Sequence, residues 1–543
     1  MVTGRRAPTG YNAPMFVPLT PIRCLHRAVD LFPDKIGIVS GPRQFTYRQF
    51  GERCERLASA LHKHGVQPGD RVAYLSFNTH QLLEGYYGVV LAHAIVMPLN
   101  VRLSPVELEN ILNHSGAHIL LFENDFAPLV EQLKPVCPGI QRFVTLDEKV
   151  PAADLDYEEL LDQGRAERAD ISSFDENAIA ELFYTSGSTG EPKGVMLANR
   201  TLYLHALAVG SIYREPETTV DLHTIPLFHA NGWGRPQAST MLGTKQIMVR
   251  RFDPPTVLRL IQEHGATDMA LVPTMANALL NCPDLAAHAV SSLRNIVLGG
   301  AASSPELIER MENAFHCDVY AGYGLTETAP LLSCAAPKPG LTYASDADRY
   351  RRRAMAGWPM WGMEVRVVDT EMNDVPRDMQ TSGEIVTRGD HVMEGYFREP
   401  AMTTSVMTGL WFHTGDMAVW DEESFIQIID RKKEIIISGG ENISSLEVEK
   451  TIFAHPEVFE CAVVAAPDET WGEVPAAIVV RKPGSALTSE DLLAFLKMRL
   501  GKFKLPRIII FSSEPLPKTG TGKIRKLVLR EQFWQGKEKR VQG

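Results

Sequence analysis

The stretch Tyr184-Thr185-Ser186-Gly187-Ser188-Thr189-Gly190-Glu191-Pro192-Lys193-Gly194 decides how the rest of the chain is read. Its glycines allow backbone angles and close approaches that a Cβ forbids, and Thr185, Ser186, Ser188 and Thr189 set hydroxyl donors beside exposed backbone N–H groups. A loop of that chemistry wraps an oxyanion. Its spacing departs from G-x-x-x-x-G-K-[ST], which excludes the common P-loop, and a flexible Ser/Gly surface loop is the alternative on composition. The apolar run Ile179-Ala-Glu-Leu-Phe183 leads into it, and a helix-like segment begins near Asn199.

Outward from the loop, helical and strand-like stretches alternate. Ile36 to Ser40, Arg71 to Phe77 and His118 to Phe122 read as strands; Tyr47 to His64, Gln81 to Ala94 and Ser104 to His114 read as helices. The rhythm returns with strand Val220 to Ile225, strand Lys245 to Val249, helix Pro254 to His264, strand Asp268 to Val272 and helix Ser304 to Phe315. Repeated β–α alternation predicts mostly parallel sheets covered by helices. Between about 345 and 430 short alternating stretches predict an antiparallel β subdomain, and after 434 a new α+β pattern begins.

A chain of 543 residues predicts more than one domain, and 44% hydrophobic with 22% charged residues is the composition of a globular protein. No segment is long enough to span a bilayer, the N-terminus lacks a secretory h-region, and the final Arg540-Val-Gln-Gly543 is unlike a Ser-Lys-Leu peroxisomal signal. Seven scattered cysteines without a C-x-x-C argue against a disulfide framework or zinc site and for a reducing, cytoplasmic setting. A net charge of −11 excludes general adhesion to nucleic acid or membrane. The charge is uneven: from residue 431 onward Lys+Arg number 19 against 14 Asp+Glu, and before it 36 against 52. A small basic domain facing polyanions accounts for that, as does ordinary surface variation.

Further motifs follow the loop in order: Pro226-Leu-Phe-His-Ala-Asn-Gly-Trp233, Gly299-Gly-Ala-Ala302, Tyr320-Ala-Gly-Tyr-Gly-Leu-Thr-Glu-Thr328, Thr414-Gly-Asp416, Asp430-Arg-Lys-Lys-Glu434, Ser438-Gly-Gly-Glu-Asn442 and Pro517-Lys-Thr-Gly-Thr-Gly-Lys523. Jointly, from about residue 20 to 530, they resemble the adenylate-forming superfamily, and most nearly its AMP-forming fatty acyl-CoA synthetases. The resemblance implies an α/β fold: an N-terminal adenylation domain, 1–430, of two helix-covered, mostly parallel sheets plus the small β subdomain; a hinge at 431–433 centred on Lys433; and a smaller, mobile α+β C-terminal lid domain, 434–543. A homodimer is compatible with the family.

It also implies roles. Thr185, Ser186, Gly187, Ser188, Thr189, Gly190, Lys193 and Thr326 would hold phosphate, with Gly300, Ala301, Ala302, Gly322, Tyr323 and Gly324 around adenine. Asp416 and Arg431 would take the ribose, and Glu327 would hold Mg²⁺, a hard cation that bridges carboxylate and phosphate oxygens. His229, Asn231, Gly232, Trp233 and Gly299 would form the acyl pocket, and Gly439, Gly440 and Glu441 the CoA channel. Catalysis falls to Lys523, Glu327 and Thr185. A carboxylate is a poor acyl donor, so it first attacks the α-phosphorus of ATP and expels pyrophosphate. An ammonium between the two anions, Lys523 by resemblance, supplies on the order of 4 kcal/mol at about 4 Å and an effective dielectric near 20. The C-terminal domain then pivots about Lys433 so that CoA thiol can attack.

The substrates implied are thus a carboxylic acid, ATP and CoA. The stretch Phe228 to Trp233 carries no carboxylate, which argues against amino acids and for an uncharged tail. A medium- or long-chain fatty acid is the leading expectation, with Trp233 either gating the tunnel or simply packing. A short functionalised or aryl acid, a carrier-protein thiol in place of CoA, and a noncatalytic nucleotide-binding homologue stay open.

Overall fold

The computed structural model describes residues 16–186, 192–213, 215–431, 434–438, 441–468, 470–518 and 524–535. Two large sheets and two smaller ones organise them. The first runs, in spatial order, Gly395–Tyr396, Pro192–Ala198, Ile179–Ser186, Ile95–Pro98, Arg71–Leu75, Ala117–Phe122, Arg142–Thr145 and Leu155–Asp156. From Ile179–Ser186 to Leu155–Asp156 all neighbours are parallel. The second has a parallel centre of Asp318–Gly324, Asn295–Leu298, Asp268–Leu271, Val220–His223, Lys245–Met248 and Ile36–Ser40, with antiparallel strands added at both edges. Helices connect the parallel strands, because a parallel crossover must travel back along the sheet.

Local chemistry fixes the helix ends. Helix Pro105–Ser115 starts on a capping box of Ser104 and Glu107 and stops at Gly116, whose φ of 62° is left-handed. Helix Tyr47–Lys63 begins on the equivalent pair Thr46 and Gln49, and helix Pro254–His264 on Asp253.

The helix read to begin near Asn199 is Asn199–Gly210, and before it lies a strand that the sequence reading did not name: Pro192–Ala198 returns antiparallel to Ile179–Ser186, pairing Thr185 with Lys193 and Ser186 with Pro192. Val195, Leu197 and Ala198 are buried in this return, which the Pro and Gly at its start conceal in the sequence. The loop is therefore the connection of a β-hairpin.

The third sheet is wholly antiparallel: Met363–Val368, Gly383–Gly389, Trp411–Trp420, Met407–Thr408 and Ile426–Arg431. The fourth, Glu441–Ile443, Ile436–Ser438, Gly472–Arg481, Val458–Asp468 and Ile508–Ser512, has its own core, in which Ile436, Ile443, Val448, Ile452, Val463 and Val479 are buried. Between these two sheets Asp430 accepts from the backbone N–H of Ser445, and Lys526 lies 3.2 Å from Glu434 and 2.9 Å from Glu449. No helix among the described residues is long and apolar enough to cross a membrane.

Candidate active site

The ends of the two large sheets and one edge of the third meet around a cavity of about 220 Å³. Its polar end is built by Thr185, Tyr323, Thr326, Glu327 and Arg431, and its apolar end by Phe228, Ala230, Trp233, Gly299 and Leu331, with His229 between. Strand Ile179–Ser186 delivers Thr185, strand Asp318–Gly324 delivers Tyr323, and Gly299 follows strand Asn295–Leu298. Ligands of open α/β sheets bind outside the carboxyl ends of strands, where these residues stand.

At the polar end the side chains are already bonded to one another. Tyr323 donates its hydroxyl to Asp416 Oδ2 at 2.6 Å, and Arg431 Nε stands 2.6 Å from Asp416 Oδ1. The third sheet makes this possible by pairing Asp416 directly with Arg431 across adjacent strands. Burial opposes charge on the guanidinium, but the Asp416 carboxylate together with Tyr323, Glu434 and Glu327 outweighs it and holds Arg431 above its ordinary pKa. Burial, and then the same carboxylate, raises the Tyr323 phenol well above its usual value, so it stays a donor.

Glu327 lies on the turn Thr326–Thr328 and accepts from the Tyr396 hydroxyl at Oε1, 2.9 Å away. The Lys193 ammonium sits 5.3 Å from the centroid of the Tyr396 ring. One glutamate oxygen is thus oriented while Oε2 is left as a hard ligand. Among the described residues there is no cluster of three His, Cys, Asp or Glu suited to a metal. A lone carboxylate on the same cavity as Thr185 fits Mg²⁺, which takes one or two carboxylates and completes its shell with phosphate oxygens and water. Gly324 is obligatory here: a Cβ would lie 1.6 Å from the Pro330 carbonyl oxygen.

The apolar end is organised by backbone. Ala230, Asn231, Gly232, Trp233 and Gly234 all have positive φ, at 44°, 44°, 59°, 64° and 70°. A non-glycine residue in that region costs about 1–2 kcal/mol, so the turn persists only because its surroundings hold it. It presents the Trp233 indole to Gly299, where a Cβ would come within 2.9 Å of Cη2, and to Gly300, where it would come within 3.6 Å of Cζ2. From behind, Asn231 donates Nδ2 to Glu181 Oε2 at 3.0 Å and accepts the Gly234 N–H on Oδ1 at 2.6 Å. Gln237 Nε2 donates to Glu181 Oε1 at 2.8 Å. Burial pushes the Glu181 carboxyl up to about 8.

The structure therefore brings Thr185, Tyr323, Gly322, Gly324, Thr326, Glu327, Arg431, His229, Trp233, Gly299 and Gly300 onto one cavity, with Asp416 one hydrogen bond behind Tyr323. Asn231 and Gly232 do not line it; Asn231 faces Glu181 and Gly232 packs near Leu227 and Pro236, so both build the wall from behind. Ala301 and Ala302 are exposed beside the opening. Gly187, Ser188, Thr189, Gly190, Lys433, Gly439, Gly440 and Lys523 lie outside the described residues, and Ser186 and Glu441 are described by backbone alone. Sequence reasoning missed Tyr396 and Glu181. A charge inside the apolar run 179–183 signalled the second; nothing local signalled the first.

A second cavity, of about 570 Å³, lies across Phe228 from the first, which both share. Arg102, Arg250 and Arg251 rim it, the last two stacked over Phe77 and ion-paired with Asp125.

Residues 25–397 match the AMP-binding enzyme family, and residues 447–523 match the AMP-binding enzyme C-terminal domain. The chain is 40% identical over 493 residues to a long-chain-fatty-acid–CoA ligase of Thermus thermophilus, covering 90% of each. It is 35% identical to an acetate–CoA ligase of Humulus lupulus, covering 96% of this chain and 95% of that protein. Among solved structures it resembles an anthranilate CoA ligase in complex with anthranoyl-AMP, with a TM-score of 0.84, 26% identity and coverage of 96% and 98%. With its large N-terminal and small C-terminal domains, the chain belongs to the AMP-binding enzymes of the adenylate-forming superfamily and is an acid–thiol ligase.

Proposed function

We propose that this protein is an AMP-forming acyl-CoA synthetase that activates an uncharged fatty acid through an acyl-adenylate and passes the acyl group to CoA. The observation that carries this reading is the two-ended cavity: Thr185 with bonded acceptors and donors for a nucleotide at one end, an apolar wall for a hydrocarbon tail at the other, and His229 between. The acid's carboxylate oxygen attacks the α-phosphorus of ATP, and pyrophosphate leaves. Thr185, Lys193 and the loop after Thr185 hold phosphate oxygens, Glu327 holds Mg²⁺, and Asp416 with Arg431 takes the ribose hydroxyls. Lys523 lies between the two anions in this step.

The thiol of CoA then attacks the acyl carbonyl carbon and AMP leaves. The arginine-rimmed cavity beyond Phe228 is suited to the approach of a phosphorylated thiol, and the pivot at 431–433 withdraws Lys523 and brings Gly439-Gly440-Glu441 to it. The domain limits 1–430 and 434–543 belong to this reading, as does a cytoplasmic setting.

Chain length turns on Trp233. With the indole over Gly299 and Gly300 the pocket suits a short tail; a medium or long chain, the latter being the substrate class in the Thermus relative's name, requires the indole to move. The testing experiment is pyrophosphate release with ATP and Mg²⁺ across acids from acetate to palmitate, plus aryl and thioether acids, each with and without CoA. CoA-dependent turnover of unbranched fatty acids is expected. Preference for an aryl or thioether acid would overturn the substrate class, and no release with any acid would overturn the enzyme reading.

A further inference from the structure

Among the described residues, Glu181 is a carboxylate of this region that neither end of the cavity uses. It is 1% exposed, it lies four residues before Thr185 on the same strand, and both its oxygens accept from amides of the opposite sheet's connection. Those two amides bracket the left-handed turn: Asn231 stands inside it, and Gln237 stands in helix Arg235–Leu242, which leaves it. We propose that Glu181 is a specificity-determining positioning residue, tethering the Ala230–Gly234 turn so that the Trp233 indole stays over Gly299 and Gly300 and limits the length of acid accepted.

Three observations support the tether. A run of five left-handed residues, three of them not glycine, relaxes when its restraints are removed. Asn231 is committed on both sides, to Glu181 by its amide and to Gly234 by its carbonyl, so loss of the first bond frees the residue that fixes the second. The carboxylate has no third role in view: its own pKa reflects burial and these two amides, and Tyr86, the titratable group beside it, gives its hydroxyl to the Leu227 carbonyl. Gln237 Oε1 is buried without a hydrogen-bond partner among the described residues, so an amide at position 181 would find an acceptor if Gln237 turned over. Glu181→Gln is therefore the mild variant, and Glu181→Ala and Asn231→Ala are the severe ones.

The inference rests on the fatty-acid reading above, and the experiment separates the two. kcat/KM is measured for butyrate and octanoate by pyrophosphate release in wild type, E181A, E181Q, N231A, W233A and E181A/W233A, with KM for ATP and a thermal melt for each. E181A and N231A are expected to raise the octanoate-to-butyrate ratio about tenfold, the scale on which an apolar pocket discriminates by size. E181Q should fall between them and wild type, and E181A should change the ratio less than about twofold once Trp233 is alanine, since coupled residues are not additive. Equal losses on both acids, the same shift in the W233A background, or a change confined to KM for ATP through Thr185 would overturn the tether. Should E181A not fold, E181Q and N231A decide by the same criteria. A wild type that turns over neither acid refutes the fatty-acid reading instead.

Discussion

The two ends of the active-site cavity are held by opposite means. At the polar end, proposed to take the nucleotide, strands and the turn Thr326–Thr328 place polar side chains that lock one another: Tyr323 to Asp416, Asp416 to Arg431, Tyr396 to Glu327. At the acyl end the side chains are apolar and the backbone is strained, and the restraint comes from a carboxylate outside the cavity. A nucleotide is the same in every turnover, so its partners can be fixed in advance. An acyl tail varies among relatives, and a strained turn can be adjusted by one residue without touching the nucleotide. Substitutions at the two ends should therefore separate cleanly: one class changes ATP use for every acid, the other changes which acid is used.

The largest effect is expected at Asp416. Asp416→Ala removes the acceptor that both Tyr323 and Arg431 use and leaves the guanidinium and the phenol without the carboxylate that aligns them. Losing charge-assisted hydrogen bonds of this kind is worth about 3 kcal/mol, or roughly a hundredfold in kcat/KM for ATP. Pyrophosphate exchange should show that loss with butyrate and octanoate alike. A change in the ratio of the two acids would mean that the ends are not independent.

The same contrast explains what could be read from sequence. The end proposed to take the nucleotide is written in motifs: the proposed chemistry calls for a carboxylate at 416, a cation at 431 and glycine at 324, and these cluster in short conspicuous stretches. The parallel strands and their helices were legible too, since burial on both faces gives the strands short apolar runs, residues 36–39 within Ile36–Ser40 and 269–271 within Asp268–Leu271. What was not legible depends on distance along the chain. Tyr396 reaches Glu327 from 69 residues away, and Glu181 reaches Asn231 from 50. Asn231 sits within a motif that resembles an acyl pocket, yet its left-handed φ turns it to the carboxylate behind; spacing alone does not carry that angle.

Trp233→Ala probes the acyl end directly. Removing the indole opens the wall at Gly299 and Gly300, and the ratio of kcat/KM for octanoate over butyrate should rise by about tenfold to a hundredfold. KM for ATP should stay within about twofold of wild type, because the bonds at Asp416 and Glu327 are untouched. Tyr396→Phe returns to the nucleotide end with a smaller step. It deletes one hydrogen bond to Glu327, worth about 1 kcal/mol, and should raise the Mg²⁺ concentration for half-maximal pyrophosphate release about fivefold for every acid.

A further expected effect lies in stability rather than in turnover, and it tests whether the acyl end carries a titrating group. Burial lifts Glu181 from an ordinary 4.5 to about 8, so between those values the folded chain keeps a proton that the unfolded chain has lost. The sign follows: the contribution is fully present below about 4.5 and falls away as pH rises through about 8. A shift of that size is worth at most about 5 kcal/mol. Glutamine does not titrate, so Glu181→Gln removes the slope. Thermal melts at intervals from pH 5 to pH 8.5 should show the midpoint of wild type falling relative to E181Q by a few degrees across that window. Asp416→Asn, at the nucleotide end, should not reproduce the same profile. Parallel curves for wild type and E181Q would mean that Glu181 is ionised throughout, and the tether would then be a fixed anion held by two amides rather than a carboxyl poised near neutrality.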